Sequence, residues 1–549
     1  MADIVALDRR REDRETERTG IELVWRLIEQ FIFPFRGDFY GSAGGIDGNI
    51  EWRKRGIYDG TAAIANMNLG ANMNSGLTNP LFPWFFLKIR QKELQDRRDV
   101  KEWLQDVSRI IFEYLRDSNF NLKANEVYVD LPSYGTGAMV EEVEEDGSGD
   151  LKKIKFDSMT VGDYVFEVDA EDNVTAFWKT RRWTIRQIVD KFGGPFNLPE
   201  GLRERAVQNI NDPTKLEIIY CIYKREGADP DFDRFKVLAP EYRPFGRAYY
   251  WKDNKAQIGE EGGFYEMPVY IPRWRTTAGS VWGNSPAMIC LANILSLNEV
   301  IEYILKNLEK AVDPPTKGTK RGVIGDVDLS AGGHTVVRSL KDLEVFLAKG
   351  DFNAGELSKR DLREMIKECF FMDQLQLKDS PAMTATEVNA RFQLMQRLLG
   401  PTLNRLQEDW LDKVIERTFG ILFRYKKLPE MPEVLMKNQA EWDIEYAGPI
   451  AKAQQEALAQ AIEKYLGTVT ALGQTFESAI DVPKIEELLI LLAELRGIPL
   501  DKLNDKAERN NIQMGRQEQR QLQQQLEMAT QGAEVMKTAK EAGAIDNAA

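Results

Sequence analysis

The segment Thr384–Phe423 reads TATEVNARFQLMQRLLGPTLNRLQEDWLDKVIERTFGILF, and its reading decides the architecture of the rest of the chain. Thr384, followed three residues later by Glu387, is a capping box: hydroxyl and carboxylate together satisfy two of the amides that a helix start leaves without partners. Val388, Phe392, Met395, Leu399, Leu403, Leu406, Trp410 and Val414 then recur at spacings of three and four, a single apolar stripe along one face. At about 1.5 Å per residue such a helix spans roughly 60 Å, further than the core of a small globular domain. Pro401 removes a backbone donor and crowds the preceding turn, which predicts a kink near Gly400. A bent strut of this length belongs to a framework rather than to a pocket. Upstream, Leu377–Met383 (LKDSPAM) is a short polar turn that joins the strut to another helical stretch.

Working outward, 549 residues exceed what one hydrophobic core usually serves, so two or more subdomains are expected. Apolar content of 43% and charged content of 29% are ordinary for a folded chain. The net charge of -14 works against a general nucleic-acid clamp, which depends on Lys and Arg neutralising phosphates. Double-stranded DNA, as a partner, would be passed along rather than held. Cys221, Cys290 and Cys369 sit far apart in apolar stretches and read as small buried hydrophobes, with neither a disulfide framework nor zinc spacing. The mixed-charge run Arg9–Arg18 is no signal peptide. The apolar windows Leu81–Leu87 and Leu488–Leu495 fall short of the roughly 20 residues that span a bilayer. The expectation is a soluble intracellular product with no membrane span.

Before the strut, Thr19 and Glu22 form a second candidate capping box ahead of Ile21, Val24, Trp25, Ile28, Phe31 and Ile32. Beyond Glu51 a helix carries small residues (AAIANMNLGANMNSGL) and stops at Asn79-Pro80, before the aromatic run FPWFF; a charged helix, Glu93–Arg116, follows. From Asn121 the period changes to alternation in VYVDL, AMVEEV, LKKIKF, DYVFEV and VTAFWKT, a meander of short strands. Further strands are expected at Leu216–Lys224, Arg247–Trp251 and Phe264–Trp274. Tyr134–Ala138 (YGTGA) reads as a hairpin turn, and the acidic run Glu141–Asp150 as a solvated hairpin tip.

Ser285-Pro286 is a cap followed by a first-turn proline. Ala287, Cys290, Ile294, Leu297, Ile301, Ile304, Leu308 and Ala311 then step alternately by three and four, a heptad seam. Asp313-Pro314-Pro315 stops it, a Gly-rich alternating excursion follows over Thr316–Gly355, and Leu362, Met365, Cys369 and Met372 mark a returning helix. The plan is helix, small β excursion, helix back, loop, long helix. After Phe423 come a proline-rich link, a strand-like AEWDIEYAG, a helix opening at Gly448-Pro449, a second helix Lys484–Arg496 and a Gln-rich tail that is a marginal helix by itself.

The chemistry of catalysis is missing. The single histidine, His334, lies in the Gly-rich excursion without a neighbouring thiol or carboxylate motif. There is no phosphate-binding Gly-x-x-x-x-Gly-Lys-Ser/Thr, no His/Cys metal cluster and no isolated carboxylate pair, so neither an enzyme nor a cofactor is expected.

Several words in chain order carry a resemblance. They are LGANMNSGLTNPLFPWF (Leu69–Phe85), Gly135-Thr136-Gly137, Pro272-Arg273-Trp274, Trp282-Gly283-Asn284-Ser285-Pro286, MTATEV (Met383–Val388), the LLGP kink and the ERTFG end (Glu416–Gly420). Together they resemble the portal, or head-to-tail connector, proteins of short-tailed bacteriophages. The resemblance implies an α+β subunit with a wing (1–285), stem helices (286–311 and 354–377) around a clip (312–353), a tunnel loop (378–385), a long kinked helix returning to the wing (386–448), and a helical crown and barrel (449–549). It implies twelve copies in a ring at one capsid vertex, made in the host cytoplasm, through which double-stranded DNA enters and leaves. Its implied partners are the terminase large subunit, tail adaptor or nozzle proteins, scaffolding and major capsid proteins, and internal core or ejection proteins. On this reading Gln376, Lys378, Asp379, Ser380 and Met383 face the DNA, and Ile294, Leu297, Ile301, Ile304 and Leu308 pack the stem. Lys378 is followed at once by Asp379, so the loop carries almost no net charge and touches DNA only transiently. The alternative is a structural or scaffold-type assembly protein without a channel.

Overall fold

In the computed structural model the described residues are 3–33, 56–81, 83–95, 97–146, 148–226, 238–277, 279–312, 316–318, 336, 338–339, 343–345, 352–372, 399–438, 442–446, 449–473, 482–496, 504 and 508–523. They fall into two units: residues 1–90 with 106–450, and residues 91–105 with 451–549. Helix and sheet are mixed throughout the first unit, an α+β arrangement; the second is described by helices.

Helix α1 (Ile4–Phe31) opens the first unit. Its cap is Asp3, whose side chain accepts from the Ala6 amide, and not Thr19, which lies inside the helix and donates its hydroxyl to the Thr16 carbonyl. The mixed-charge run Arg9–Arg18 lies within these extra turns and is laced by ion pairs along the helix. Arg11 pairs with Asp8 and Glu15, Arg14 with Glu17, and Arg18 with Glu22, all at three- or four-residue spacing. Ile4 and Leu7 then pack with Trp178, Ile219, Cys221 and Tyr250 on a five-stranded antiparallel sheet.

That sheet is β4 (Tyr164–Val168), β5 (Val174–Thr184), β6 (Lys215–Lys224), β7 (Phe245–Trp251) and β8 (Ala256–Phe264), each strand beside the next in sequence. Helices α5 (Ile185–Lys191) and α6 (Glu200–Gln208) pack a second cluster, Ile188, Leu202, Ile218, Trp251 and Ile258, against it. Strand β8 went unseen in sequence because GEEGGF carries no alternation. The strand expected over Phe264–Trp274 shrinks to β9 (Val269–Tyr270), which joins β2 (Ala138–Glu145) and β3 (Leu151–Met159) in the order β3-β2-β9.

Two readings, a strand at VYVDL and a hairpin turn at YGTGA, fail here. The segment VYVDL is the middle of helix α4 (Phe120–Tyr134), and every one of its side chains is buried. A helix enclosed on all sides shows no periodic face, so alternation there carries no information. It lies against α2 (Thr61–Leu77), which begins ten residues after Glu51. A methyl group added at Gly70 of α2 would come within 2.8 Å of the Val129 Cγ2, which shows how closely the two backbones approach. YGTGA is correspondingly the end of a helix and not a hairpin: Gly135 caps α4 in the left-handed region at φ 78°. The aromatic run continues into β1 (Phe85–Ile89), paired antiparallel with β12 (Trp442–Tyr446) from the AEWDIEYAG segment. The charged α3 (Arg98–Asp117) supplies residues to both units.

Helix α7 (Pro286–Val312) starts where the Ser285 hydroxyl accepts from the Met288 amide. It runs beside α8 (Phe352–Cys369), and between them lies the two-stranded β10 (Thr316–Gly318) and β11 (Leu343–Val345). Ala287, Cys290, Ile294, Leu297 and Ile301 are buried, Ile304 is half-buried and Leu308 is half exposed. Among the described side chains of α8 the buried one is Ile366, with Phe370 just beyond, while Met365 is exposed: the inner row is one position off the expected one. Cys290 and Cys369 meet across the pair as free thiols, and burial pushes both up. Residues Pro286–Glu309 also make a helix long and apolar enough to cross a membrane, with mean hydropathy 1.5 and a third of it buried, a stretch the window reading above overlooked.

Of the strut, 384–398 with its expected capping box Thr384/Glu387 lies outside the described residues, as does 373–383 before it. From Leu399 the chain is helical through Pro401, passes through a π turn at Gln407–Leu411, and continues as α9 (Asp412–Arg424). The described departure from α-helical winding is therefore at 407–411, where one extra residue per turn brings both Trp410 and Leu411 to the buried side. In the second unit, α10 (Pro449–Gly473) and α11 (Ile485–Leu495) are followed by helix at 508–523.

Candidate functional site at the docking face of the long helix

The sequence words that lie far apart in the chain meet in space. Gly135 and Gly283 pack backbone against backbone, so that a methyl group on either would collide with the carbonyl oxygen of the other. Thr136 Oγ1 accepts from the Gly283 amide at 2.9 Å, the Trp274 amide donates to the Gly135 carbonyl at 2.8 Å, and the Gly137 amide donates to the Pro272 carbonyl at 3.0 Å. The Ser285 hydroxyl donates to the Ser133 carbonyl at 2.7 Å, tying the start of α7 to the end of α4. Trp25 closes this knot from α1: its Nε1 donates to the Tyr134 carbonyl at 3.1 Å and its ring meets Trp282 edge-on at 4.8 Å. The two glycines are required by contact, and at Gly135 also by the positive φ.

The ERTFG word docks α9 onto the strands. Glu141 of β2 is fully buried, a correction to its reading as part of a solvated tip; the exposed tip begins one residue later. Its Oε1 accepts from the Thr418 hydroxyl at 3.2 Å, its Oε2 accepts from the Tyr270 hydroxyl, and the Arg417 Nε lies 3.6 Å from Oε2. Arg417 also donates to the Glu266 carbonyl at 3.0 Å, and Arg424 grips the Glu266 carboxylate with two hydrogen bonds of 2.7 and 2.8 Å. Arg424 stacks over the Tyr265 ring at 4.2 Å. Gly420 makes room: a Cβ there would stand 2.6 Å from Glu266 Oε1. Burial pushes the Glu141 carboxyl up to about 7, opposed by the positive charge of Arg417 and by the Tyr270 and Thr418 hydrogen bonds. Two carboxylates and two guanidiniums thus share a largely dry interface.

The π turn adds a second attachment. It places Asp409 so that Oδ2 lies 3.4 Å from Nη2 of the buried Arg273, and the same Nη2 donates to the carbonyl of Asp172 at 3.2 Å. Asp172 sits at the β4–β5 turn with φ 65°. Burial raises the Asp409 carboxyl, and Arg273 opposes it. On its other side α9 forms, with β1 and β12, a pocket of about 150 Å³ lined by Leu87, Arg90, Asp412, Glu416, Phe419 and Asp443. The Tyr446 hydroxyl donates to Asp412, whose carboxyl burial raises to about 6.

The base of the α7–α8 pair is fixed in the same manner. Arg363 of α8 donates to Asp59 Oδ2 at 2.9 and 2.6 Å, and the buried Asn298 of α7 accepts from the Tyr58 and Asp59 amides while donating to the Ile294 carbonyl. Of the residues expected to act, Ile294, Leu297 and Ile301 lie on this inner row, Ile304 faces Gly355, and Leu308 turns partly to solvent. Gln376, Lys378, Asp379, Ser380 and Met383, with His334, lie outside the described residues. Sequence reasoning missed Glu141, Glu266, Arg273, Asp409 and Arg417. The available signal was charge placed inside apolar words: Arg in PRW and ERTF, Glu in AMVEEV. Among the described residues no group of three or more His, Cys, Asp or Glu side chains is placed to hold a metal.

What these contacts build is a joint between a long helix, a helix pair and an antiparallel platform, the frame of an α+β structural subunit. The chain belongs to the bacteriophage head to tail connecting protein family, whose model matches residues 5–503. It is 26% identical over 545 residues to the probable portal protein of Bordetella phage BPP-1, covering 97% of this chain and 94% of that one. It is likewise 26% identical over 546 residues to the portal protein of Salmonella phage epsilon15, covering 97% and 95%. A solved chain from the virion of a native gene transfer agent (GTA) particle aligns with TM-score 0.36 at 12% identity, over 80% of this chain and 92% of that one, a likeness too loose to bear on function.

Proposed function

We propose that the chain is a portal: one of a closed ring of identical copies, twelve by the family resemblance, at a single capsid vertex, with a central channel for double-stranded DNA during packaging and ejection. The observation that carries this is the family match from residue 5 to residue 503, with relatives named portal proteins aligned over 97% of the chain. The stem is α7 and α8, the clip the β10–β11 excursion, the wing the sheets with α1 to α6, and the crown and barrel the helices from α10 onward. The loop residues Gln376, Lys378, Asp379, Ser380 and Met383 brush DNA, and the acidic balance of the chain keeps the phosphate backbone from sticking. Terminase and then tail adaptors dock at the clip, and scaffolding and coat proteins meet the wing.

The structure supports a ring in one respect. Helix α7 keeps Ile289, Tyr303, Leu305, Leu308 and Val312 exposed on a long apolar helix of which a third is buried. A second copy beside it would cover that surface. Mass photometry with negative-stain imaging of the purified 62.8-kDa chain tests the reading. The expected result is a closed ring with a central hole and a mass of about 750 kDa for twelve copies. A monomer or dimer at high concentration, without rings when scaffolding protein is added, would overturn it.

A further inference from the structure

Helices α7 and α8 share one register, and it sets two thiols face to face. Gly355 of α8 lies against Ile304 of α7, where an added Cβ would stand 3.2 Å from the Ile304 Cγ1. Two heptads further along α8 is Cys369, and two heptads back along α7 is Cys290. In an antiparallel pair equal steps from one contact lead to another, so the two cysteines come opposite each other. They do meet: the Cys290 thiol is within hydrogen-bonding reach of the Cys369 sulfur, and both are free. Cys290 is fully buried, while Cys369 is partly open to solvent in the last turn of α8, between the buried Ile366 and Phe370.

Each thiol stands where a tether has leverage. Cys290 is in the second turn of α7, whose start is fixed to α4 by the 2.7 Å hydrogen bond from the Ser285 hydroxyl to the Ser133 carbonyl. Cys369 is where α8 stops. The Phe370 amide donates to the Ile366 carbonyl at 3.2 Å, the Phe371 amide donates to the Glu368 carbonyl at 3.0 Å, and Phe371 turns the chain out of the helix at φ 56°. A bulky side chain rarely adopts that left-handed backbone and keeps it only where its surroundings hold it.

We propose that Cys290 and Cys369 form a redox-dependent staple, a dithiol that closes to a disulfide in an oxidising medium and ties the end of α8 to the start of α7. Both sulfurs belong to one chain, so the staple does not depend on the ring reading. With a peroxide as oxidant, the more accessible Cys369 loses its proton and its sulfur attacks a peroxide oxygen; the O–O bond breaks and hydroxide leaves, taking that proton as water and giving a sulfenic acid. The Cys290 sulfur then attacks the Cys369 sulfur, the S–O bond breaks, and the second hydroxide leaves as water with the Cys290 proton. Two thiols and one peroxide become one disulfide and two waters, the sulfurs giving up the two electrons that the peroxide takes. Burial holds both thiols above their ordinary range, and the charge of Glu368 adds to this at Cys369, so little thiolate is present at neutral pH. A reducing cytosol keeps such a pair open, and an oxidising medium closes it slowly.

The test uses the full-length chain, purified with dithiothreitol, freed of it, and treated with hydrogen peroxide at pH 7 and at pH 9. The expected product has lost two hydrogens, about 2 Da, and yields a peptide in which Cys290 is joined to Cys369, with Cys221 still free to alkylate once the chain is unfolded. Closure should be at least about tenfold faster at pH 9, because the thiolate is the nucleophile. The amides of the last turn of α8 should then exchange with deuterium at least about tenfold more slowly, and dithiothreitol should restore the original rate. Cys369→Ser, treated alike, should show neither change. Thiols that both survive peroxide at both pH values are small buried hydrophobes and nothing more, which overturns the proposal. So does a link from Cys369 to another copy with Cys290 left free, oxidation of Cys369 to the sulfinic acid without a link, or a link that leaves exchange in α8 unaltered.

Discussion

The docking face of α9 and the outer side of α7 are built from the same kinds of residue but are finished differently. Around α9 the apolar side chains Trp410, Leu411, Val414, Ile415, Phe419 and Leu422 are all buried, and Arg424 is hydrogen-bonded to Glu266 while Arg417 is ion-paired with Glu141 across the joint. Along α7 the inner row is buried from Ala287 to Ile301, yet Ile289, Tyr303, Leu308 and Val312 are 50–79% exposed in the single chain. On the ring reading, the contrast separates what one copy completes for itself from what a neighbour would cover, and mutations in the two regions should act on stability and on assembly respectively.

The largest effect that would break this contrast is at Arg417. Arg417→Ala leaves Glu141 buried without its cation, and removing one partner of a buried pair typically costs about 3–5 kcal/mol. The amides of α9 should then exchange with deuterium on the order of a hundredfold faster or more. Unchanged protection would mean that α9 is not held by this network.

Next is pH. The Glu141 carboxyl sits near 7 in the folded chain against 4.5 for an ordinary glutamate, so the native state binds this proton more tightly than the unfolded state. Its contribution is fully present below about 4.5 and lost as pH rises through about 7, a change on the order of 3 kcal/mol. Melting temperature should fall over that window in the wild type and fall less in Glu141→Gln; parallel curves would remove Glu141 as the cause. A smaller effect on folding is expected at the open surface. Leu308→Ser should change the melting temperature of the unassembled chain by no more than the roughly 0.5 kcal/mol of a surface substitution, while weakening ring formation in the photometry experiment. Smallest of all, Lys427→Ala removes a solvent-exposed pair with Asp150 and should leave the melting temperature essentially unchanged.

Much of this was visible in the chain itself, because local chemistry writes local signals. Alternation in AMVEEV, LKKIKF, DYVFEV and VTAFWKT marks strands with one face on a core, and these are β2 to β5. Ser285-Pro286 marks the start of α7 for the same reason: a cap is made by residues a few positions apart. Where the environment is uniform the signal disappears. VYVDL is surrounded on every side, so that segment has no face to show, and RRREDRETER has no apolar residue to phase, so its part of the helix is crossed by ion pairs and flanked by packed residues. The site was half visible: Thr136, Gly283, Ser285 and the ERTFG residues stood out as words, but not their purpose.

The sequence by itself determined the element types with a clear period, the helix, excursion, helix plan, the lack of catalytic signatures and the family. Those depend on residues close in the chain or on words in order. Only the tertiary structure decided that Gly135 meets Gly283, that Glu141 is enclosed with Arg417 and Tyr270, that a π turn brings Asp409 to Arg273, and which apolar rows remain uncovered. Each of these joins positions more than a hundred residues apart or depends on what a side chain lacks around it. The free energy of a buried charge or an exposed stripe is set by surroundings that no local pattern specifies.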